Sequence, residues 1–217
     1  MPEGLIAAAA RRPEPEDMRI EGVAIAQVVN NIDLMGLARV QLSLPWFPGI
    51  EPWARVAVPS AGRERGMYLI PQVGDEVLVV FNHGDIRDPY VLGSLWNSED
   101  QPPTGVPTDA VSKRMLRTPL GHEVVFDDTQ QTITITSITK HKVTIAPQQV
   151  ELTTAGGSAK VTLQSSGTIS LTANVSLEIK APSIKIEGTT IDVKSSASTS
   201  INGGGTCSVQ AGVVKVN

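Results

Sequence analysis

Few side chains in this sequence have the types and spacing that catalysis or metal binding requires. The histidines are His83, His122 and His141, and no two of them stand in a metal-ligand pattern. The acid pairs Asp75-Glu76 and Asp127-Asp128 could suggest acid–base chemistry. Adjacent residues on a strand point to opposite faces, so neither pair converges on one substrate atom. The sequence therefore predicts no catalytic residue, no metal and no cofactor.

Two further features near the C-terminus have structural interpretations. Gly203-Gly204-Gly205 has neither a following Lys-Ser/Thr nor a helix, so it is not a phosphate-binding loop and instead interrupts a repeat. Cys207 is the single cysteine, which excludes an internal disulfide framework and a four-cysteine metal site. We expect it to be a buried small hydrophobic residue.

Charge and hydropathy narrow the class of protein. The formal charge is 18 − 22 = −4, whereas proteins that bind nucleic acid by neutralising phosphates usually carry a basic excess. No apolar run approaches the ~18 residues that span a bilayer. The run Leu5 to Ala10 is too short for a secretion signal, and Arg11 and Arg12 follow it instead of preceding it. We therefore expect the chain to be made and assembled in the cytoplasm.

The elements that position these residues fall into two modules of different composition. All eight aromatic residues lie between Trp46 and Phe126, and the 91 residues from Asp127 onward contain none. Those 91 residues hold seven Lys against six acids, so residues 1–126 carry −4 − 1 = −5. Because the two parts of the chain differ in aromatic content and in charge, the sequence predicts two modules with different cores.

The first module has the pattern of a small closed β-barrel. After a proline-containing arm, residues 1–18, five short alternating segments are separated by Gly, Pro and Asp. They are Glu21–Val29, Leu37–Leu44, Trp53–Val58, Glu76–Phe81 and Tyr90–Leu95. Five such strands fit a barrel of the OB type. We place it at residues 19–98, followed by a linker and neck at 99–131.

A repeat of seven or eight residues dominates the second module, residues 132–217. Apolar positions at 163, 171, 179, 186, 193, 201, 209 and 216 are spaced by 8, 8, 7, 7, 8, 8 and 7 residues. Most have an apolar partner two residues earlier, which is strand alternation. The candidate core residues are Val161, Leu163, Ile169, Leu171, Leu177, Ile179, Ile184, Ile186, Ile191, Val193, Ile201, Cys207 and Val209.

Units this short are below the ~20 residues that one coil of a single-chain solenoid requires. Strands of this kind on one chain would leave a face and two edges open. Three chains wound together, each supplying one wall of a triangular prism, would close the structure. The sequence therefore predicts an obligate homotrimer with a narrow axis, in agreement with the missing aromatic rings. An ordinary antiparallel sandwich remains the alternative.

Several ordered blocks resemble the phage baseplate spike (baseplate assembly protein V) and the related VgrG spike of type VI secretion. The blocks are Leu44-Pro45-Trp46, Trp53-Ala54-Arg55-Val56, Met67–Pro71, Val73–Val79, Gly84–Pro89, Val91–Asn97 and Thr118–Asp128. With the repeat behind them, the resemblance extends over about residues 19–217.

The resemblance implies an all-β protein, with an OB-fold collar followed by an intertwined trimeric triangular β-helix, or β-prism. Full VgrG proteins begin with hub domains, whereas only an arm precedes the barrel here, so we expect a separate hub protein. The 17 residues between Asn97 and Met115 leave no room for a hydrolase. Some spikes of the family form their own tip with a His-x-His motif near the C-terminus, and the C-terminal segment here lacks it. The resemblance therefore implies a separate PAAR-type tip protein, bound to Val213, Val214, Lys215, Val216 and Asn217. His122 lies in a family block, where we expect it to pack or hydrogen-bond at the collar–needle junction.

The sequence thus predicts a non-enzymatic spike of a contractile injection system. It would assemble in the cytoplasm within a tail-like particle and act at the target envelope, with transient membrane contact and possible effector cargo. The alternative is an OB-fold module that binds nucleic acid or carbohydrate, joined to a β-rich C-terminal domain. Nucleic-acid binding would need a basic groove with exposed aromatics, and carbohydrate binding would need aromatic platforms or paired carboxylates.

Overall fold

The computed structural model describes residues 19–215. The chain divides into two compact units, with the boundary between Ile138 and Thr139. The predicted N-terminal arm at 1–18 lies outside the described residues. The elements within 19–215 are almost entirely β-strands, and the single α-helix of that range, α1 (Asp109–Ser112), is one turn long.

Five strands of the first unit close into a barrel with the order β1-β2-β3-β7-β6. These strands are β1 (Val23–Asn30), β2 (Val40–Ser43), β3 (Trp53–Val56), β6 (Glu76–Phe81) and β7 (Pro89–Leu95). All neighbours are antiparallel except β3 and β7, which are parallel. The five-stranded barrel predicted from the sequence is confirmed.

The barrel contains the hydrophobic core of the described chain. Strict alternation in β6 turns Val77, Val79 and Phe81 inward, and the residues between them are half-buried. The core residues are Ala26, Val28, Val40, Leu42, Leu44, Ala54, Val77, Val79, Phe81, Ile86 and Val91. Because β-branched and aliphatic side chains pack well on a pleated surface, this set, with Phe81 as its one aromatic member, fills the barrel.

Shorter elements complete the first unit. A hairpin of β4 (Ala61–Gly62) and β5 (Arg65–Gly66) follows β3. Gly66 has φ +145°, and a Cβ there would lie 2.5 Å from the carbonyl oxygen of Ser60, so this turn requires glycine. After α1, three antiparallel strands form a ladder, namely β8 (Lys113–Arg117), β9 (Glu123–Asp127) and β10 (Thr132–Thr136).

The second unit begins with a four-stranded antiparallel ladder. Its strands are β11 (Lys142–Ala146), β12 (Gln149–Thr153), β13 (Ala159–Gln164) and β14 (Ile169–Ala173). Each strand pairs with its sequence neighbour, so the ladder is a single layer and not the alternative sandwich.

Residues 174–215 contain no strand or helix within the single chain. Their side chains are exposed throughout. The structure thus confirms a mostly β chain with an N-terminal barrel and a C-terminal antiparallel sheet. The trimeric prism involves further copies of the chain and stays a prediction.

Candidate assembly surfaces

The strand register gathers the apolar residues of the second unit onto one face of the ladder. Apolar residues stand opposite apolar residues: Leu152 lies opposite both Val143 and Val161, and Leu163 lies opposite both Val150 and Ile169. The full apolar face is Val143, Ile145, Val150, Leu152, Val161, Leu163, Ile169 and Leu171. This register is fixed by a side-chain period of two, because a slip of one residue would place every apolar residue on the opposite face.

Burial in this ladder is the reverse of that in the barrel. Leu152 is 51% exposed, whereas its polar neighbours Glu151 and Thr153 are half-buried and Thr162 is only 6% exposed. Six of the eight apolar-face residues are exposed, and the other two are half-buried. A soluble sheet normally turns such a face toward a core. Within one chain this face has no cover among the described residues.

The polar face of the ladder is held by an ion pair and hydrogen bonds. Lys160 Nζ lies 2.6 Å from Glu151 Oε2, and the Thr153 hydroxyl donates to Glu151 Oε1 at 2.7 Å. Hydrogen bonding from Lys160, and secondarily from Thr153, lowers the pKa of the Glu151 carboxyl. The polar side chains of Glu151, Thr153 and Lys160 therefore have partners within the chain.

The predicted trimer-core residues follow the same pattern. Val161 and Leu163 lie on β13, and Ile169 and Leu171 lie on β14. The others, from Leu177 to Val209, lie in residues 174–215 and are exposed in the single chain, Cys207 included. The structure brings the first four together on one face and places no intrachain cover over the rest. Their role in a trimer stays a prediction.

The predicted tip-binding residues are only partly described. Val213, Val214 and Lys215 are exposed, whereas Val216 and Asn217 lie outside the described residues.

A rigid loop between β1 and β2 is a feature that the sequence interpretation missed. The carboxylate of Asp33 accepts hydrogen bonds from the backbone amides of Met35, Leu37 and Arg39, at 3.0, 3.2 and 3.3 Å. It also accepts two from the Arg39 guanidinium, both at 2.9 Å. These bonds, led by those from Arg39, hold the pKa of the Asp33 carboxyl well below its usual range. The predicted strands Glu21–Val29 and Leu37–Leu44 left a loop between them, but the sequence pattern did not predict this bracing.

The candidate catalytic groups serve ordinary structural roles. Asp75 accepts a hydrogen bond from the Gln72 amide at 2.8 Å, and Asp127 accepts one from the Gln130 amide at 2.9 Å. His122 Nδ1 accepts a hydrogen bond from the Ile138 amide at 3.4 Å. Across residues 19–215, no three metal-ligating side chains come close enough to bind an ion.

Several of the barrel aromatics are engaged in contacts within the chain. Trp46 donates from Nε1 to the Ile25 carbonyl at 2.9 Å and packs edge-to-face on Phe81. The Arg39 guanidinium lies 5.5 Å from the ring centroid of Trp53. Trp96 is exposed, and the cleft beside it is lined by four carboxylates, those of Asp75, Glu76, Glu99 and Asp100. This cleft would repel a phosphate backbone.

Membrane-spanning helices are absent from residues 19–215, where no helix has the length and hydropathy to cross a bilayer.

Comparison with known proteins identifies the barrel. Residues 24–96 match the type VI secretion system/phage-baseplate injector OB domain. The match begins within β1 and ends just after β7, so it coincides with the closed barrel.

Curated spike proteins match a longer part of the chain. The type VI secretion system spike protein VgrG2a of Pseudomonas aeruginosa is 29% identical over 157 residues, which is 65% of this chain and 18% of that protein. The actin cross-linking toxin VgrG1 of Vibrio cholerae is 33% identical over 116 residues, 49% of this chain and 10% of that protein. Spike protein VgrG3 of the same species is 33% identical over 110 residues, 46% of this chain and 11% of its own length.

The chain therefore spans less than a fifth of the length of these relatives. It carries a type VI secretion system/phage-baseplate injector OB domain at residues 24–96, and much of its length is similar to distant VgrG spike proteins.

Proposed function

We propose that this chain is the non-enzymatic central spike of a contractile injection apparatus, in which three copies form a triangular β-helical needle below the OB-fold collar. The observation that carries the proposal is the uncovered apolar face of β11–β14, continued by the exposed apolar pairs after Ala173. Similarity to VgrG spike proteins supplies the setting, and this apolar face supplies the argument for self-assembly.

Leaving this apolar face in water carries a large free-energy cost. Each large aliphatic side chain gains about 1.5–3 kcal/mol when it is fully buried. Eight such positions lie on one layer that has no second layer among the described residues. Association with further copies of the same chain would bury them, since each copy offers an identical apolar face.

Three copies fit this face better than two. Three walls enclose one narrow axis, which aliphatic side chains of moderate size would fill. The candidate core residues of the repeat are Val, Ile, Leu and one Cys, and the chain has no aromatic residue from Asp127 onward. A two-layer sandwich has no such size limit on its core residues.

The mechanism of such a needle is mechanical. Sheath contraction would deliver force along the axis, and three intertwined chains would resist bending and unfolding. The outward face, with its Ser, Thr and Lys residues, makes no apolar contact with lipid and suits transient passage through the target envelope.

The remaining partners follow from the family. A separate hub protein would bind the collar, and a PAAR-type protein would cap the end around Val213–Asn217. Effector cargo could travel with the needle. The particle would assemble in the cytoplasm before it acts at the target envelope.

The alternative, a nucleic-acid-binding OB module, is disfavoured by the barrel surface. The four carboxylates around the Trp96 cleft oppose phosphate binding, and the other two tryptophans already have partners within the chain. No observation favours the carbohydrate-binding variant.

Adjacent residues of β14 provide a matched test of self-assembly. Leu171 lies on the apolar face and Thr172 on the polar face, and both side chains are exposed in the single chain. We expect Leu171→Asp to abolish the trimer and Thr172→Asp to leave it intact, as measured by light scattering on a sizing column. Equal masses for the two variants and the unmodified chain would contradict the proposal.

A further inference from the structure

An apolar groove opens on the outside of the barrel beside β1. Its volume is about 600 Å³, and it is lined by Arg19, Ile20, Glu21, Ala24, Ile25 and Trp46. Ile25 is 49% exposed and Trp46 is 43% exposed, so the groove presents bare apolar surface to solvent. A concave site of this size with mostly apolar walls is typical of a binding site. We call it the Trp46 groove.

Contacts within the barrel hold the walls of the Trp46 groove in place. The Trp46 indole donates its Nε1 hydrogen to the Ile25 carbonyl at 2.9 Å, and its ring packs edge-on against Phe47 and Phe81. On the opposite wall, Ile20 and Ala24 pack against the barrel core. Because the groove is already formed, a segment that binds it does not have to rearrange the barrel first.

The described chain begins at the rim of the same groove. Arg19 forms an antiparallel bridge with Asp85, and the Ile20 amide donates to the Gly84 carbonyl at 2.9 Å. These contacts fix Arg19 and Ile20, which both line the groove. Residues 1–18 are therefore attached to the barrel at the groove itself.

One run within residues 1–18 has the composition that this groove would bind. Leu5–Ala10 is a stretch of six consecutive apolar residues, whereas the other twelve residues include three prolines and six charged residues. Eight residues separate Ala10 from Arg19, and when extended they span up to about 30 Å, so the run can reach the groove. A short tether also raises the effective concentration of the run at the groove to roughly the millimolar range.

Charge favours the same occupant. Arg11 and Arg12 follow the apolar run directly, so residues 5–12 carry a formal charge of +2. Residues 19–138 carry nine basic against fourteen acidic residues, a formal charge of 9 − 14 = −5. The four acids of residues 1–18 all lie outside residues 5–12. Binding of the run would thus bring a basic segment onto an acidic unit.

We propose that Leu5–Ala10 binds the Trp46 groove of its own chain as an intramolecular strap. Leu5 and Ile6 are the side chains that enter the groove, because they are the two largest of the run. The inference concerns a contact within one chain, so it does not depend on the assembly of three copies.

Disulfide trapping in the full-length chain tests the contact directly. Ile6→Cys is combined with Ile25→Cys in the groove or, as the control, with Leu92→Cys, and Cys207→Ser removes the natural thiol in both proteins. Leu92 is a matched control because it is 47% exposed on the same barrel but does not line the groove. We expect the disulfide to residue 25 to form at least roughly tenfold faster than the disulfide to residue 92, within a single chain on a non-reducing denaturing gel.

Three results of the trapping experiment would overturn the proposal. Equal rates for the two pairs would mean that the segment has no preferred site on the barrel. A product with the mass of two chains would make the occupant of the groove a segment of another copy. Absence of any disulfide to residue 25 would leave the groove without this ligand.

Hydroxyl-radical footprinting supplies a second readout without introduced cysteines. Mass spectrometry measures the oxidation of each tryptophan separately, and Trp96, which is 69% exposed and outside the groove, is the internal reference. We expect Leu5→Asp/Ile6→Asp to raise the oxidation of Trp46 several-fold and to leave that of Trp96 unchanged. Pro13→Asp/Pro15→Asp adds the same charge but keeps the apolar run, so Trp46 should remain as protected as in the unmodified chain. Equal oxidation of Trp46 in all three proteins, or the same increase in both variants, would contradict binding through Leu5 and Ile6.

Discussion

The barrel and the β11–β14 ladder place their apolar residues in opposite environments. In the barrel, alternation along β6 turns Val77 and Val79 into a core that one chain completes. In the ladder, an equally regular alternation along β12 turns Val150 and Leu152 outward. The same sequence pattern thus yields a finished core in one unit and an unfinished one in the other. Periodicity identifies the apolar face of a strand, but the covering surface belongs to tertiary or quaternary structure.

We expect the largest loss of barrel stability from a cavity in the barrel core. Leu42 is fully buried, and Leu42→Ala should lower the free energy of unfolding of the barrel by about 2–5 kcal/mol. Because one chain completes this core, the loss should not change with protein concentration. Chemical denaturation monitored by tryptophan fluorescence measures it, since all three tryptophans lie between residues 46 and 96.

Leu92→Ala provides the control, because Leu92 is on the same barrel but exposed. It should change the free energy of unfolding by less than about 0.5 kcal/mol. Comparable losses in the two variants would mean that Leu42 does not lie in a closed core.

The second prediction concerns acid sensitivity of the barrel. The pKa of Asp33 is lowered in the folded state by its hydrogen bonds, chiefly those from Arg39, so ionised Asp33 stabilises the fold at pH values above its unfolded pKa of about 4. This contribution is lost as the pH falls below about 4 toward the folded pKa. The unmodified barrel should therefore lose more stability than Asp33→Asn between about pH 5 and pH 2.

Denaturation midpoints of the two proteins across that pH range provide the measurement. Parallel midpoint curves would show that the Asp33–Arg39 bracing adds no pH-dependent stability.

The smallest predicted effect lies on the polar face of the ladder. Glu151→Gln removes the ion pair with Lys160 but keeps a side chain that accepts a hydrogen bond from Thr153. Partly exposed pairs contribute less than about 1 kcal/mol, so the variant should assemble like the unmodified chain and melt within a few degrees of it. Dissociation of Glu151→Gln would assign the polar face a role in assembly that its intrachain contacts do not suggest.

Sequence patterns predicted the barrel well because one chain supplies every strand that covers its apolar faces. The segment Glu76–Phe81 was predicted with its observed bounds, and Tyr90–Leu95 differs from β7 by one residue. Two predicted strand ends were wrong. The first strand was predicted from Glu21 but begins at Val23, and the third was predicted up to Val58 but ends at Val56. Apolar alternation continues past the last ladder hydrogen bond, so it does not mark where pairing stops.

The sequence predicted the apolar positions of the second unit but not their local structure. It identified Leu163 and Leu171 as inward residues, and the register places them on one face. It also predicted regular strands up to Val216, whereas the single chain has none after Ala173 among its described residues. The apolar alternation of a sequence does not tell whether a segment pairs with a strand of its own chain or with a strand of another copy.

The Asp33 bracing and the exposure of Leu34 and Met35 in the same loop were also missed. Exposed Leu and Met in a loop look like interrupted strand residues when only their types are known. Asp33 lies six residues before Arg39, and this spacing is not one that brings two side chains together on a helix or a strand, so the sequence did not predict the ion pair.

The central claim is that the unfinished core of the second unit is completed by two further copies of the chain. Its most direct test is the solution mass of the unmodified protein by sedimentation equilibrium. For a trimer we expect about 69 kDa, which is 3 × 23.0 kDa, and a mass that stays constant over a broad dilution series. A stable species of 23.0 kDa would contradict it.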